Sequence, residues 1–219
     1  LLRTSIMDRF CADLCNVLAA PMEQGPAEDP AERITGDAFI EWLKVNNLFL
    51  IPLDSEGRWF RYHHLFQDLL RNQLQHKASP DEIAALHARV SDWFVSQQLV
   101  DEAINHALAA GEVTAAAQIV EQNRVAVLNA NRWHDLAKWL AKLPAAIKQQ
   151  RVGLLLARWW VAYHQFRVSE LAGLLQRVEA ELGKEPTEPA LAAELYFFRG
   201  YIAFWLGDRS RAWRPSKRR

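Results

Sequence analysis

The sequence predicts a mainly α-helical protein: a small winged-helix domain with a two-stranded hairpin, followed by a helical-repeat solenoid. Three observations carry that expectation. Apolar residues recur at helical spacing along most of the 219 residues. The period changes once, between Leu48 and Tyr62, into two short extended runs around a turn. From Ser79 onward the predicted helices are joined by connections of two to eight residues, short enough to make neighbours antiparallel.

Residues 5–19 place Ile6, Phe10, Leu14, Val17 and Leu18 at helical spacing, with Thr4 or Ser5 as the cap. The proline- and acid-rich stretch from Pro21 to Pro30 reads as an exposed loop. A second helix turns Phe39, Ile40 and Leu43 inward and ends at Asn46 and Asn47. Leu48 to Leu53 and Trp59 to Tyr62 form the hairpin around Asp54-Ser55-Glu56-Gly57, with Pro52 tolerable only on an edge strand. His63 to His76 returns to helix, with Leu65, Phe66, Leu69, Leu70 and Leu74 as the predicted buried stripe.

Ser79-Pro80-Asp81-Glu82 is a helix start: Ser caps, Pro takes the first position, and Glu closes a capping box. That helix runs to about Gln98, and others follow at 101–110, 113–130, 133–143, 152–165, 168–183 and 188–206. Several joints place a Gly or compact turn five residues before Ala or Leu: Gly111 before Ala116, Phe166 before Leu171, Gly207 before Ala212. The last two joints are 41 residues apart, longer than the 34 of the tetratricopeptide repeat, and the earlier spacings are irregular. The predicted organisation is a winged-helix-like domain at 1–78, a tetratricopeptide-like region at 79–208, and a basic tail at 209–219 outside the fold.

Lys plus Arg equal Asp plus Glu at 26 each, which argues against a surface that coats nucleic acid. Residues 1–78 carry eight basic and eleven acidic side chains, the wrong sign for a DNA-reading winged helix. The last residues (Arg209, Arg211, Arg214, Lys217, Arg218 and Arg219) are basic without any acid. They read either as a nucleic-acid or localisation tail or as an end foreign to the fold. Two cysteines, Cys11 and Cys15, make neither a disulfide framework nor a zinc site, and read as buried thiols in a reducing compartment. With no apolar run long enough to span a bilayer, the expected location is the cytoplasm and no membrane is expected as a partner. The opening on Leu1, without Met, predicts a piece of a longer protein.

No phosphate-binding glycine loop and no nucleophile elbow occurs, so no catalytic residue is assigned and the chain is not expected to be an enzyme. His63 and His64 are adjacent and point apart, while His87, His106, His134 and His164 sit singly on separate helices, so no metal site is expected. Trp93, Trp133, Trp139, Trp159, Trp160 and Trp205 read either as packing between helices or as the lining of a concave groove. Trp159 and Trp160, being adjacent, cannot both face one core.

The runs Leu1-Leu2-Arg3-Thr4-Ser5-Ile6-Met7-Asp8-Arg9-Phe10, Asn47-Leu48-Phe49-Leu50-Ile51-Pro52-Leu53-Asp54 and Trp59-Phe60-Arg61-Tyr62-His63-His64-Leu65-Phe66-Gln67-Asp68-Leu69-Leu70 resemble MalT-like regulators. These are large LuxR-type transcription activators of the STAND ATPase class. The resemblance is close over residues 1–76 and looser through the following helices, where Leu143-Pro144 is similar to the start of that family's repeat superhelix. It implies a regulatory and interaction module of an ATP-dependent transcription activator, coupling nucleotide state and inducer binding to activation. The implied partners are the ATPase domain of the same polypeptide and an inducer, small molecule or protein, on the repeat region. DNA would be reached only through a C-terminal domain not in this sequence. ATP or ADP would be bound mainly by the ATPase domain. Tyr62-His63-His64-Leu65 is similar to the Met-His-Asp motif of related STAND proteins, which makes His63 the implied nucleotide-binding residue, although His64 stands where that motif has Asp. An imidazole at a helix start suits an anion, because the helix N-terminus adds favourable partial charge. The competing expectation is a stand-alone helical-repeat scaffold for a protein or peptide. Past Gly207 the repeat pattern stops, predicting an apolar side from Tyr196 to Leu206 without a partner helix, and marginal solubility.

Overall fold

The structure is a computed structural model that describes residues 1–20, 34–182 and 188–206. The predicted Pro21–Pro30 loop, the Gly207 joint and the 209–219 tail lie outside the described residues. The chain divides into two compact units, Leu1–Ala116 and Ala117–Arg219.

The first unit opens on a 3₁₀ turn at Arg3–Ile6, and α1 follows only at Ala12–Ala19. The single helix predicted over 5–19 is therefore broken, and the cause lies far along the chain. The backbone is extended at Met7, and Phe10 exchanges both backbone hydrogen bonds with Phe60 at 2.8 and 2.9 Å. Its ring is wholly buried, 4.8 Å from that of Tyr62. Neither Thr4 nor Ser5 caps a helix. Their hydroxyls donate back to the carbonyls of Leu1 and Leu2, and the Thr4 and Tyr62 hydroxyls lie 2.7 Å apart.

Helix α2 spans Gly36–Val45, with the Thr35 hydroxyl accepting from the Ala38 amide at its start. Strands β1 (Leu50–Pro52) and β2 (Phe60–Tyr62) pair antiparallel, with Leu50 opposite Tyr62 and Pro52 opposite Phe60. The Asp54 carboxylate closes the turn by accepting from the amides of Arg58 and Trp59. Because β2 also bridges Phe10, β1 is the edge strand, where Pro52 leaves no ladder donor missing.

Helix α3 spans His64–Lys77, and its buried face differs from the predicted stripe. Leu70 and Leu74 are buried, but Leu65 and Leu69 are 67% and 55% exposed. Gln67 takes the buried position instead. Its side-chain amide donates to the carbonyls of Ser5 and Met7, at 3.1 and 2.7 Å, and Arg71 donates to the Ser5 carbonyl and to Asp8. The interrupted N-terminal segment thus presents backbone acceptors that a leucine could not satisfy.

Helices α4 (Pro80–Ser96) and α5 (Val100–Ala109) pack as a pair, and α4 starts with the predicted capping box between Ser79 and Glu82. Arg89 on α4 donates to the carbonyls of Val17 and Ala20, capping the end of α1. Between α4 and α5, His87 and His106 are not solitary: their Nδ1 atoms lie 2.8 Å apart, and the His106 ring stacks on Phe94. One ring must donate and the other accept, so the pair is compatible with at most one of these two nitrogens losing its lone pair to a proton. Burial, then the charge of His87, with Arg71 acting the same way and Asp8 opposing, pushes His106 down to about 4. Burial, then Arg71, lowers His87 as well. The folded state therefore favours neutral rings, relative to about 6.5 when unfolded. Their contribution is complete above that value and is lost as pH falls from about 6.5 through 4. Denaturant midpoints measured across this range are expected to fall for the native sequence and to fall less for His106→Phe; parallel curves would refute the assignment.

Five helix ends share one geometry. Asn47, Gln98, Gly111, Asn131 and Phe166 all have φ between 50° and 78°. The next amide donates to the carbonyl five residues back: Leu48 to Leu43, Leu99 to Phe94, Glu112 to Ala107, Arg132 to Val127, Arg167 to Ala162. Ala103, Ala116, Leu136 and Leu171, five residues after the last four of these positions, are wholly buried. Gln98, Asn131 and Phe166 recur at intervals within about one residue of 34. The long α6 (Val113–Asn129), in which the two units divide, begins directly after the Gly111 joint.

The second unit adds α7 (Trp133–Lys142), the one-turn α8 (Ile147–Gln150), α9 (Val152–His164), α10 (Val168–Leu182) and α11 (Pro189–Leu206). Its core joins α9, α10 and α11 around Trp159, with Leu155, Leu171, Val178, Leu195 and Phe198. On α11, Tyr196, Phe197, Phe204 and Trp205 remain between 42% and 78% exposed. Among the described residues, no helix is long and apolar enough to cross a membrane.

Candidate functional site

His63 is the residue before α3, with φ −59° and ψ 137°, and its side chain makes no capping hydrogen bond. Three backbone hydrogen bonds fix that helix start. The His63 amide donates to the Phe49 carbonyl at 2.8 Å, tying the helix to the hairpin, and the His63 carbonyl accepts from Phe66 and Gln67. The half-buried His63 ring lies 4.3 Å from that of the exposed His64. Phe49, held at φ 53°, is 62% exposed, and its ring lies 5.5 Å from that of Phe66. The result is a helix N-terminus carrying two imidazoles, bordered by the exposed side chains of Phe49, Leu65 and Leu69. Such a start favours an anion through its partial positive charge and its first-turn N–H groups. The apolar border favours a surface that excludes water.

The other predicted candidates separate. Among the described residues, no group of three or more His, Cys, Asp or Glu side chains is placed to hold a metal ion. Cys15 is buried and Cys11 half-buried; burial pushes both thiols up, Cys15 to about 12. Trp139 and Trp159 are core residues, Trp93 and Trp133 are half-buried, and Trp205 is exposed. Trp160 has a different role. It packs against the Trp159 core while its indole N–H donates to the Glu194 carboxylate at 2.5 Å.

Glu194 also accepts from Nη1 and Nη2 of Arg124, at 2.7 and 2.9 Å, and the two side chains are only 11% and 14% exposed. This grouping of α6, α9 and α11 forms one wall of a cavity of about 560 Å³ within the second unit. Sequence reasoning assigned nothing to Arg124 or Glu194. Their 70-residue separation leaves no local signal, and only Trp160 stood out.

The winged-helix region is recognised by comparison as well as by shape: the family model of the MalT winged helix domain matches residues 1–83. Residues 1–83 are a MalT winged helix domain. The likeness to known proteins runs further than that domain. The chain is 31% identical over 195 residues to serine/threonine-protein kinase PknK of Mycobacterium tuberculosis strain H37Rv, covering 89% of this chain and 16% of the kinase. It is also 31% identical over 188 residues to HTH-type transcriptional regulator MalT of Klebsiella pneumoniae strain 342, covering 84% of this chain and 21% of the regulator. MalT of Yersinia enterocolitica gives 31% over 179 residues, 81% of this chain and 20% of that protein. The chain thus spans about a fifth or less of the length of these curated relatives.

Proposed function

We propose that this chain is the regulatory and interaction module of an ATP-dependent transcription activator, coupling nucleotide state and inducer binding to activation. The observation that carries the reading is the start of α3, where His63 and His64 stand beside the exposed Phe49, Leu65 and Leu69. In the intact protein this face would pack on a STAND-class ATPase domain of the same polypeptide. His63 would then hydrogen-bond a phosphate of ADP, held mainly by that domain. Exposed leucines on a helix whose opposite side is already satisfied fit such a docking role. The near-34-residue recurrence of the left-handed joints supports a tetratricopeptide-like reading of the later helices, with the inducer bound there. The joint occurrence of this region in proteins named for a kinase and for a transcriptional regulator supports a module that senses rather than one that executes the output.

His63→Ala, in the protein with its ATPase domain present, is expected to release ADP about tenfold faster and to raise basal transcription. That ratio corresponds to the loss of one charge-assisted hydrogen bond. Nucleotide release and basal activity both unchanged would overturn the role of His63.

A further inference from the structure

We infer that the cavity walled by Arg124, Trp160 and Glu194 binds a small organic cation: a primary ammonium on an apolar or aromatic body. The inference deepens the inducer-binding part of the reading above, and rests on it only for its regulatory consequence.

The starting point is an ion pair in an unusual place. Arg124 and Glu194 come from different helices and are nearly buried, yet both line an open cavity rather than a closed core. A buried pair is weak support for stability, since apolar residues of similar volume can do as well. The Glu194 carboxylate accepts from Arg124 through both oxygens and from Trp160 through one, which fixes its orientation. A fixed carboxylate in a half-apolar cavity of this volume is a recognition element for a drug-sized molecule.

The charge of the lining decides which molecule. Among the described residues that line it, the carboxylates are Glu188 and Glu194, and the only permanent cation is Arg124, already committed to Glu194. Glu188 is exposed at the start of α11, leaving one carboxylate without a side-chain cation among the described lining residues. His164 adds none: burial, then the charge of His134, lowers its pKa, so at neutral pH it offers a lone pair. The side-chain charges of the lining favour a cation over a carboxylate or phosphate. Leu128, Val152, Leu156 and Leu191 supply the apolar contact, and the indole of Trp160 adds an aromatic surface that attracts cations.

The test uses the full chain and three probes of similar size: 2-phenylethylamine, 3-phenylpropanol and 3-phenylpropanoate, titrated by calorimetry at pH 7.5. The amine is expected to bind at least tenfold more tightly than the alcohol, with no heat from the carboxylate. Glu188→Gln, at an exposed position, is expected to remove most of the preference for amine over alcohol. Val125→Trp, at a half-exposed position on the cavity lining, is expected to abolish binding of every probe while the far-ultraviolet circular dichroism stays unchanged. No binding of the amine, equal binding of amine and carboxylate, or amine binding that survives Val125→Trp would each overturn the assignment. Nucleotide release and basal activity unchanged in His63→Ala, with amine binding intact, would overturn the earlier reading and leave this one standing, so the two readings fail separately.

Discussion

Trp159→Ala is expected to destabilise the second unit by about 3–5 kcal/mol, the range for removing a fully buried large aromatic. Trp159 has no solvent exposure and is the hub of the core. Its ring stacks on Phe198 at 3.5 Å between centroids and on Tyr163 at 5.7 Å, and meets Tyr201 and Trp160 edge-on at 6.0 and 5.6 Å. Truncation therefore empties a site bounded by both α9 and α11, where collapse would have to move whole helices. Trp159→Phe separates the ring from the indole. The Trp159 N–H is buried with no hydrogen-bond partner among the described residues, so losing it removes a desolvation cost along with packing. The phenylalanine variant is expected to lose less than half as much as the alanine variant. Urea unfolding followed by near-ultraviolet circular dichroism reads both; equal losses would show that volume is not what the indole contributes.

The same residue marks how far the sequence could be read. Adjacent tryptophans cannot both point into one core, and the structure resolves them as expected of helical geometry: Trp159 at the centre, Trp160 at its margin reaching Glu194. Helix boundaries from Ser79 onward were legible because each signal is local, as in the Ser79 capping box or the buried residue five positions after a joint. Asn131 and Gln98 adopt the same left-handed turn as Gly111 without a glycine to announce it, so the near-34-residue recurrence was hidden. What failed was non-local. The break at Met7–Cys11 depends on Phe60, and the burial of Gln67 depends on carbonyls that the break exposes. Leu65 and Leu69 looked like core because periodicity records which residues are apolar, not which face finds a partner. Those two leucines now form the border of the candidate site. His63 was legible through its resemblance to a motif, whereas Arg124 and Glu194 required the fold to bring them together.

Gly36→Ala is expected to be the most disruptive single-methyl change in the first unit. Gly36 is the first residue of α2, and the constraint there is space rather than dihedral freedom. A Cβ at this position would lie 2.0 Å from the carbonyl oxygen of Ala12 and 2.6 Å from its carbon. Both are backbone atoms, so no rotamer change relieves the overlap, and α1 and α2 would have to separate. Separation also strains the bond that defines the crossing, from the Gly36 amide to the Asn16 side-chain oxygen at 2.6 Å. The expected loss is about 3 kcal/mol or more, the upper end for overpacking a filled contact. Asn16→Ala, which removes the hydrogen bond but keeps the contact, is expected to cost about 1 kcal/mol. Because α1 leads directly from the Phe10 bridge that joins the hairpin, hydrogen exchange in Gly36→Ala should accelerate at the Phe10 and Phe60 amides as well as along α2. Acceleration confined to α2 would mean that the hairpin does not depend on the α1–α2 crossing.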